Sequence, residues 1–324
     1  MNPIVIDTQS KAQDTKQLPG TASANLSYQL VSAATVVLPT LGTVYAMWLW
    51  WHYGIHAVDI ALLVFMYVVT ILGVELGYHR YLTHRSMKTS PFFRAVLVIV
   101  GCMAAHGPPI WWVAIHRRHH MYSDHAEDPH SPSPRVHGAS FGQRLAGAWH
   151  AHIAWMFNPE CTAAHASRYA QDLFADRRIW WIDRFYWGWV LLGLAIPTVL
   201  GGLLTASWSG AWTGFIWGGL VRMFLGQHAL WWGIVTVCHL FGTRPFVSND
   251  DSRNNVIVAI IFLGDGWHNN HHAFPTSAKV GLRWWEIDMT WWVVSVLKRV
   301  GLVWDVKVPS RASIDSKRAI PRGN

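Results

Sequence analysis

The stretch Leu30–Trp51, LVSAATVVLPTLGTVYAMWLWW, carries no charged side chain over 22 residues, within a charge-free segment from Gln17 to Val58. As an α-helix rising 1.5 Å per residue it would be roughly 33 Å long, enough to cross a bilayer's hydrocarbon core. A second apolar run, Ile60–Val74, continues through Glu75 to about Tyr78, and only His52–Asp59 separates the two. The pair reads as a membrane hairpin. Residues 185–221 are again free of charge, interrupted by Trp208-Ser-Gly-Ala-Trp212, and give a second hairpin. Four spans are therefore expected, at about 30–51, 58–78, 185–206 and 213–240. Trp48, Trp50, Trp51, Tyr186, Trp187, Trp208 and Trp212 crowd their ends, as aromatic belts do at membrane interfaces.

Composition agrees with this reading. Of the 324 residues, 52% are apolar and only 14% charged, against roughly 25% charged in an average soluble protein. The net charge of +8 would suit a nucleic-acid binder, but no motif supports one and no nucleic-acid partner is expected. Membrane topology explains the excess. Lys and Arg number 2 in residues 1–29, 12 in 79–184 and 11 in 241–324, with Arg222 alone inside a span and none at either hairpin tip. The positive-inside rule then places both termini, and everything between the hairpins, on the cytoplasmic side. Three cysteines, Cys102, Cys161 and Cys238, have neither metal-site nor disulfide spacing. No secretory signal is expected at the start, where residues 1–25 read as a disordered cytoplasmic tail. A single membrane domain is expected over 26–304, its cap formed by 79–184 and 241–304, with a loose basic tail over 305–324.

Two further apolar stretches do not read as spans. Ala95–Ile115 contains Gly107-Pro108-Pro109, which breaks a helix, and Val256–Gly264 is too short to cross. Both are expected at the cytoplasmic interface, as is an amphipathic helix from Trp284 to Val303.

The chain holds 19 His against 18 acidic residues, and eight of them fall in three clusters: His79 and His84; His116, His119 and His120; His268, His271 and His272. On a helix, positions i, i+3 and i+4 share a face, so the second and third clusters each aim three imidazoles at one point. A spacing of five turns off the α-helical face, which places His84 just beyond a helix end. Eight imidazoles exceed the needs of one metal. Imidazole suits iron, copper, zinc and nickel alike, so spacing alone gives two transition metals without their identity. Isolated His52, His56, His137, His150, His152 and His165 read as ordinary solvated side chains.

The surrounding strings are more specific: Gly77-Tyr-His-Arg-Tyr-Leu-Thr-His84, His116-Arg-Arg-His-His-Met-Tyr-Ser-Asp-His-Ala-Glu-Asp-Pro-His130, and Gly264-Asp-Gly-Trp-His-Asn-Asn-His-His-Ala-Phe-Pro275. In this order and topology, over roughly residues 45–290, they resemble the membrane fatty acid desaturases, the stearoyl-CoA (delta-9) branch most closely. The resemblance implies a ninth ligand, His239 in Cys238-His-Leu-Phe-Gly242, and a centre of two iron ions (Fe2+). It implies that the reduced centre uses oxygen to remove two hydrogens from neighbouring carbons of a fatty acyl chain linked to CoA, a carrier protein or a lipid. Two electrons would come from a separate donor of ferredoxin, rubredoxin or cytochrome b5 type, since no His-Pro-Gly-Gly string marks a fused cytochrome domain. The expected fold is all-α and integral to the membrane: four transmembrane helices under a cytoplasmic helical cap that holds a histidine-ligated dimetal site.

Two positions depart from that pattern. Val235 stands where relatives have an Asn thought to hold a metal-bound water, and Glu75 stands where small or hydroxyl residues are usual. Glu75, four residues before His79, is expected either to orient a liganding ring or bind metal, or to pair with Arg222. Asp124, Asp128 and Asp265 are candidates to accept hydrogen bonds from liganding imidazoles. Arg80, Arg117 and Arg118 sit beside ligands and are candidates for an acidic headgroup, a carrier phosphate, the electron donor or interface anchoring. Related membrane hydroxylases and acetylenases remain open as alternative outcomes, as do a metal-storing and a haem-binding protein.

Overall fold

The computed structural model describes residues 21–132, 140–158, 161 and 168–319. Most of residues 1–25, together with His137 and His165, lies outside them. Three helices are long and apolar enough to cross a membrane: α1 within Thr21–Tyr53, α2 over Ala57–Thr83 and α3 over Tyr186–Thr205. Leu30, Leu41, Val44, Leu191, Val199 and Leu203 stay exposed along α1 and α3, where lipid would cover them. The fourth apolar stretch, α4 over residues 208–240, keeps helical torsions throughout but alternates between α and π turns. Gly201 of α3 and Gly210 of α4 touch backbone to backbone, and a Cβ on Gly201 would strike the Gly210 carbonyl. That contact lets α3 and α4 pack closely, as small residues do between apolar helices.

Between the hairpins the chain forms α5 (Pro91–Cys102), α6 (Pro109–Tyr122), α7 (Phe141–His152) and α8 (Arg177–Arg184). Ser90 accepts from the Phe93 amide and Pro91 occupies the first turn, which together start α5. The chain bends between α5 and α6 through Ala105 and Gly107, both with positive φ. Arg222, buried in α4, stitches this bend to the spans: it donates to the carbonyls of Met103 (2.5 Å), Gly193 (3.1 Å) and Gly218 (3.2 Å). The alternative pairing of Arg222 with Glu75 is therefore not made. A guanidinium that finds three carbonyls at a helix bend has little left for a carboxylate.

After α4 come the short helices α9 (Val256–Ile261), α10 (His268–Ala273) and α11 (Met289–Arg299). The last is shorter than the expected 284–303, because Asp288 is used as its N-cap, accepting from the Trp291 amide. Residues 305–319 are not a loose tail. Val303–Trp304 (β2) pairs antiparallel with Lys88–Thr89 (β1), α12 spans Arg311–Ser316, and the Val247 amide donates to Lys317 O.

Candidate metal centre

Helices α2, α4, α6 and α10 converge their histidines at one place. Residues 74–83 of α2 form a π-helix, and the His84 amide donates to the His79 carbonyl at 3.1 Å, an i→i+5 bond. This one turn brings His79 and His84 together, with ring centroids 4.8 Å apart. A five-residue spacing that is off-face on an α-helix is one turn on a π-helix. His116, His119 and His120 lie on α6, His239 near the end of α4, and His268, His271 and His272 on α10.

The nine rings divide into two groups. His79, His84, His116, His120 and His271 present ligand atoms that all lie within 4.8 Å of one another, and so do His119, His239, His268 and His272. Within the first group Nε2 faces Nε2 for His79 and His271 (3.1 Å), His84 and His116 (3.1 Å), His116 and His120 (3.1 Å), and His120 and His271 (2.9 Å). In the second, His239 and His268 face each other the same way at 3.1 Å.

Three aspartates hold the four-ring group. His239 Nδ1 donates to Asp124 (2.9 Å), His119 Nδ1 to Asp128 (2.9 Å) and His272 Nδ1 to Asp250 (2.7 Å). Each bond takes the ring's proton to Nδ1 and leaves a bare lone pair on Nε2, aimed inward. Asp124 also accepts from the Asp251 amide and the Ser131 hydroxyl, and Asp250 from Ser248 and Ser252. Burial alone would raise both carboxyls. The facing imidazoles and these donors instead hold Asp124 at about 2 and Asp250 well below the usual carboxylate range. Burial, then the neighbouring rings, pushes His116, His120, His268 and His271 well below the ordinary imidazole range, so the rings are neutral, the form that can ligate a metal.

This is how the donor set fits metal. Converging lone pairs repel, one proton per pair cannot satisfy His116 Nε2 against two partners, and His272 Nε2 is buried with no partner among the described residues. A cation at each focus relieves all of this at once.

Glu75 and Asp265 approach the five-ring group from one side, with His79 Nδ1 at 3.3 Å and 3.5 Å respectively. Burial first, then Glu75, pushes Asp265 up to about 7. Both acids line an apolar cavity together with His79, His268, Trp112, Ile234 and Val235. Val235 thus brings a hydrocarbon wall, and no donor, to the edge of the site.

The arginines beside these histidines are tied to other parts of the chain. Arg80 is buried, donating to Ala278 O (2.5 Å) and Asp288 (3.0 Å), and Arg117 donates to Asp172 (2.6 Å) and Leu82 O (2.8 Å). Arg118 donates to Glu127 O at 2.8 Å. His152, expected to be solvated, is buried and bonded to His228 at 3.1 Å. Sequence reasoning missed Asp250, which lies 22 residues from His272 and whose only local signal is its place in the polar turn Ser248–Ser252. It also missed Asp288, the partner of Arg80, and His130, whose ring lies 4.5 Å from that of His119.

With this geometry established, similarity to known proteins is informative. A family profile described as fatty acid desaturase matches residues 57–306. The chain is 47% identical over 282 residues to a hex-5-enoyl-[acyl-carrier protein] acetylenase of Moorena producens (strain JHB), covering 87% of each. It is 38% identical to an acyl-CoA C20 Delta5-desaturase of Anemone leveillei, over 74% of this chain and 70% of that one. An sn-1 stearoyl-lipid 9-desaturase of Anabaena variabilis is 35% identical, over 79% and 85%.

Proposed function

This chain belongs to the fatty acid desaturase family, and we propose that it is an integral membrane oxidoreductase that holds two iron ions on its nine clustered histidines and removes hydrogen from a fatty acyl chain. The observation that carries this reading is the convergence of His79, His84, His116, His120 and His271 on one focus and of His119, His239, His268 and His272 on another. The donor chemistry fits several transition metals, and family membership selects iron. Bound there, the iron pair would supply the oxygen chemistry that unactivated C–H bonds require and acid–base groups cannot provide.

The protein's part is position. Asp124, Asp128 and Asp250 fix the orientation of three rings in the four-histidine set. Trp112, Ile115, Leu230, Trp231, Ile234 and Val235 wall the cavity with hydrocarbon, which aligns a chain and keeps water out. We place four spans in the membrane, with α4 (208–240) as the fourth. The termini and the metal centre lie on the cytoplasmic side, where the Lys and Arg fall. Residues 26–304 then act as one domain, drawing two electrons from a separate ferredoxin, rubredoxin or cytochrome b5 type donor.

One specific observation favours a second outcome at the same site. The relative at 47% identity is described as an acetylenase acting on a carrier-bound chain, and Glu75 and Val235 are unusual neighbours for the centre. Triple-bond formation on a carrier-linked chain is therefore the alternative product. Expression in a host membrane with donor supplied, followed by gas chromatography–mass spectrometry of total acyl chains beside a His116→Ala control, tests both. New alkenes or alkynes absent from the control are expected. Unchanged chains together with iron-free protein would refute the proposal.

A further inference from the structure

His106 is the feature the metal centre does not use. It sits between Ala105 (φ 61°) and Gly107 (φ 109°), two residues held in the left-handed region, and its side chain is buried. For a non-glycine such as Ala105 that conformation is strained, and strain of this kind collects at functional positions. Neighbouring groups fix the bend: Gln227 donates to the Ala105 carbonyl (3.3 Å), and the Gly107 amide donates to the Tyr186 hydroxyl (3.0 Å). Gly226 packs beside the ring, and a Cβ there would come within 3.4 Å of Nε2.

Neither ring nitrogen has a hydrogen-bond partner among the described residues, although the Gly226 backbone lies close enough to the ring to favour its protonated form. Burial, then Arg222, pushes His106 down to about 3, so the ring is neutral and carries one N–H donor and one acceptor. Leaving such groups buried and unpaired costs on the order of 1–3 kcal/mol each. His106 borders two cavities at once. One reaches the metal centre, lined by His79, His116 and His268; the other runs past Tyr28, Ser32 and Thr35 of α1 to Trp187 of α3. Trp155 Nε1, on the wall of the first, is a second buried donor with no partner among the described residues. A plain hydrocarbon chain would satisfy neither donor, although the rest of that wall is apolar.

We infer that His106 is a positioning residue for substrate, donating a hydrogen bond to the carbonyl oxygen of the activated acyl group. The carbonyl lies at the junction of the two cavities. The chain's first carbons run toward the metal centre, and its linker leaves past Tyr28 and Ser32. Carbons a few bonds from the carbonyl are then the ones presented to the metals. This rests on the acyl-chain reading of the site, but its test needs no turnover.

Tryptophans 111, 155 and 231 line the path, so binding is readable as fluorescence quenching in the full-length protein in nanodiscs. The probes are S-octanoyl-pantetheine and its S-octyl thioether, which differ only by the carbonyl. Wild type is expected to bind the thioester about tenfold more tightly, the worth of one neutral hydrogen bond. His106→Leu should lose that preference at unchanged iron content, and His106→Gln should restore most of it. Dioctanoyl phosphatidylcholine and its diether analogue, run in parallel, separate a lipid ester from a thioester: the pair that His106 discriminates identifies the acyl donor. Equal binding within both pairs in wild type, or a preference that survives in His106→Leu, would overturn the assignment. If the preference holds while no new acyl product ever forms, the subsite stands and the reaction assignment falls.

Discussion

The two histidine groups solve one problem differently. In the four-ring group three imidazoles are each held by an aspartate, at 2.7–2.9 Å, which sets tautomer and orientation. In the five-ring group, among the described residues, only His79 has carboxylates near it, at 3.3 and 3.5 Å, and His84, His116 and His120 have none. Its rings are held by crowding: Trp112 stacks on His116 at 4.9 Å, and four Nε2 pairs meet head to head. One focus is anchored and the other packed. The anchored one should respond to loss of its carboxylates, and the packed one to loss of shape.

The largest effect should come from deleting a ring. His119→Ala leaves the five-ring set intact, so the protein is expected to keep one metal of two while product formation disappears; elemental analysis and acyl profiling check both. Removing an anchor should cost less. Asp250→Ala is expected to weaken metal retention at the four-ring focus by about 10–100-fold in a chelator competition, with the other focus unchanged. Loss of both metals together would dissolve the distinction. On the packed side, Glu75→Gln should change metal retention less than about tenfold, because five imidazoles already converge there. A larger loss would make Glu75 a ligand.

The smallest effect concerns a surface tie. Asp172 receives Arg117 at 2.6 Å and Arg85 at 2.7 Å, linking α6 to the end of α2. Burial would raise Asp172, but the two guanidinium groups hold it at about 2. Its folded value is thus depressed below an unfolded value of roughly 3.9. The contribution is complete above pH 4 and lost as pH falls toward 2. The side chains are partly exposed and screened, so Asp172→Asn should cost less than about 1 kcal/mol at neutral pH. Thermal melts of the two proteins should differ less at pH 3 than at pH 7.

The same contrast describes what could be read from the sequence. His116, His119 and His120, and His268, His271 and His272, follow helical periodicity, and their grouping needs only that rule. His79 and His84 required a π turn, and nothing in Val74–Thr83 announces i→i+5 bonding in advance. Asp124 and Asp128 fall inside a recognisable string, whereas Asp250 reaches His272 only through the folded chain. The three helices long and apolar enough to cross a membrane follow from apolar length, but α4 is interrupted by π segments that hydropathy does not encode. Arg80 and Arg117 look like free surface cations by type, yet Arg80 is consumed inside by Ala278 O and Asp288, and Arg117 is tied to Leu82 O and the partly exposed Asp172, all from distant segments.

The number and kind of metal ions per chain test the dimetal centre most directly. Protein expressed with iron and purified in its membrane environment should carry two iron ions per chain by elemental analysis, with X-ray absorption showing a first shell dominated by imidazole nitrogen. One ion per chain, or a full complement of zinc with no iron taken up on reconstitution, would contradict it.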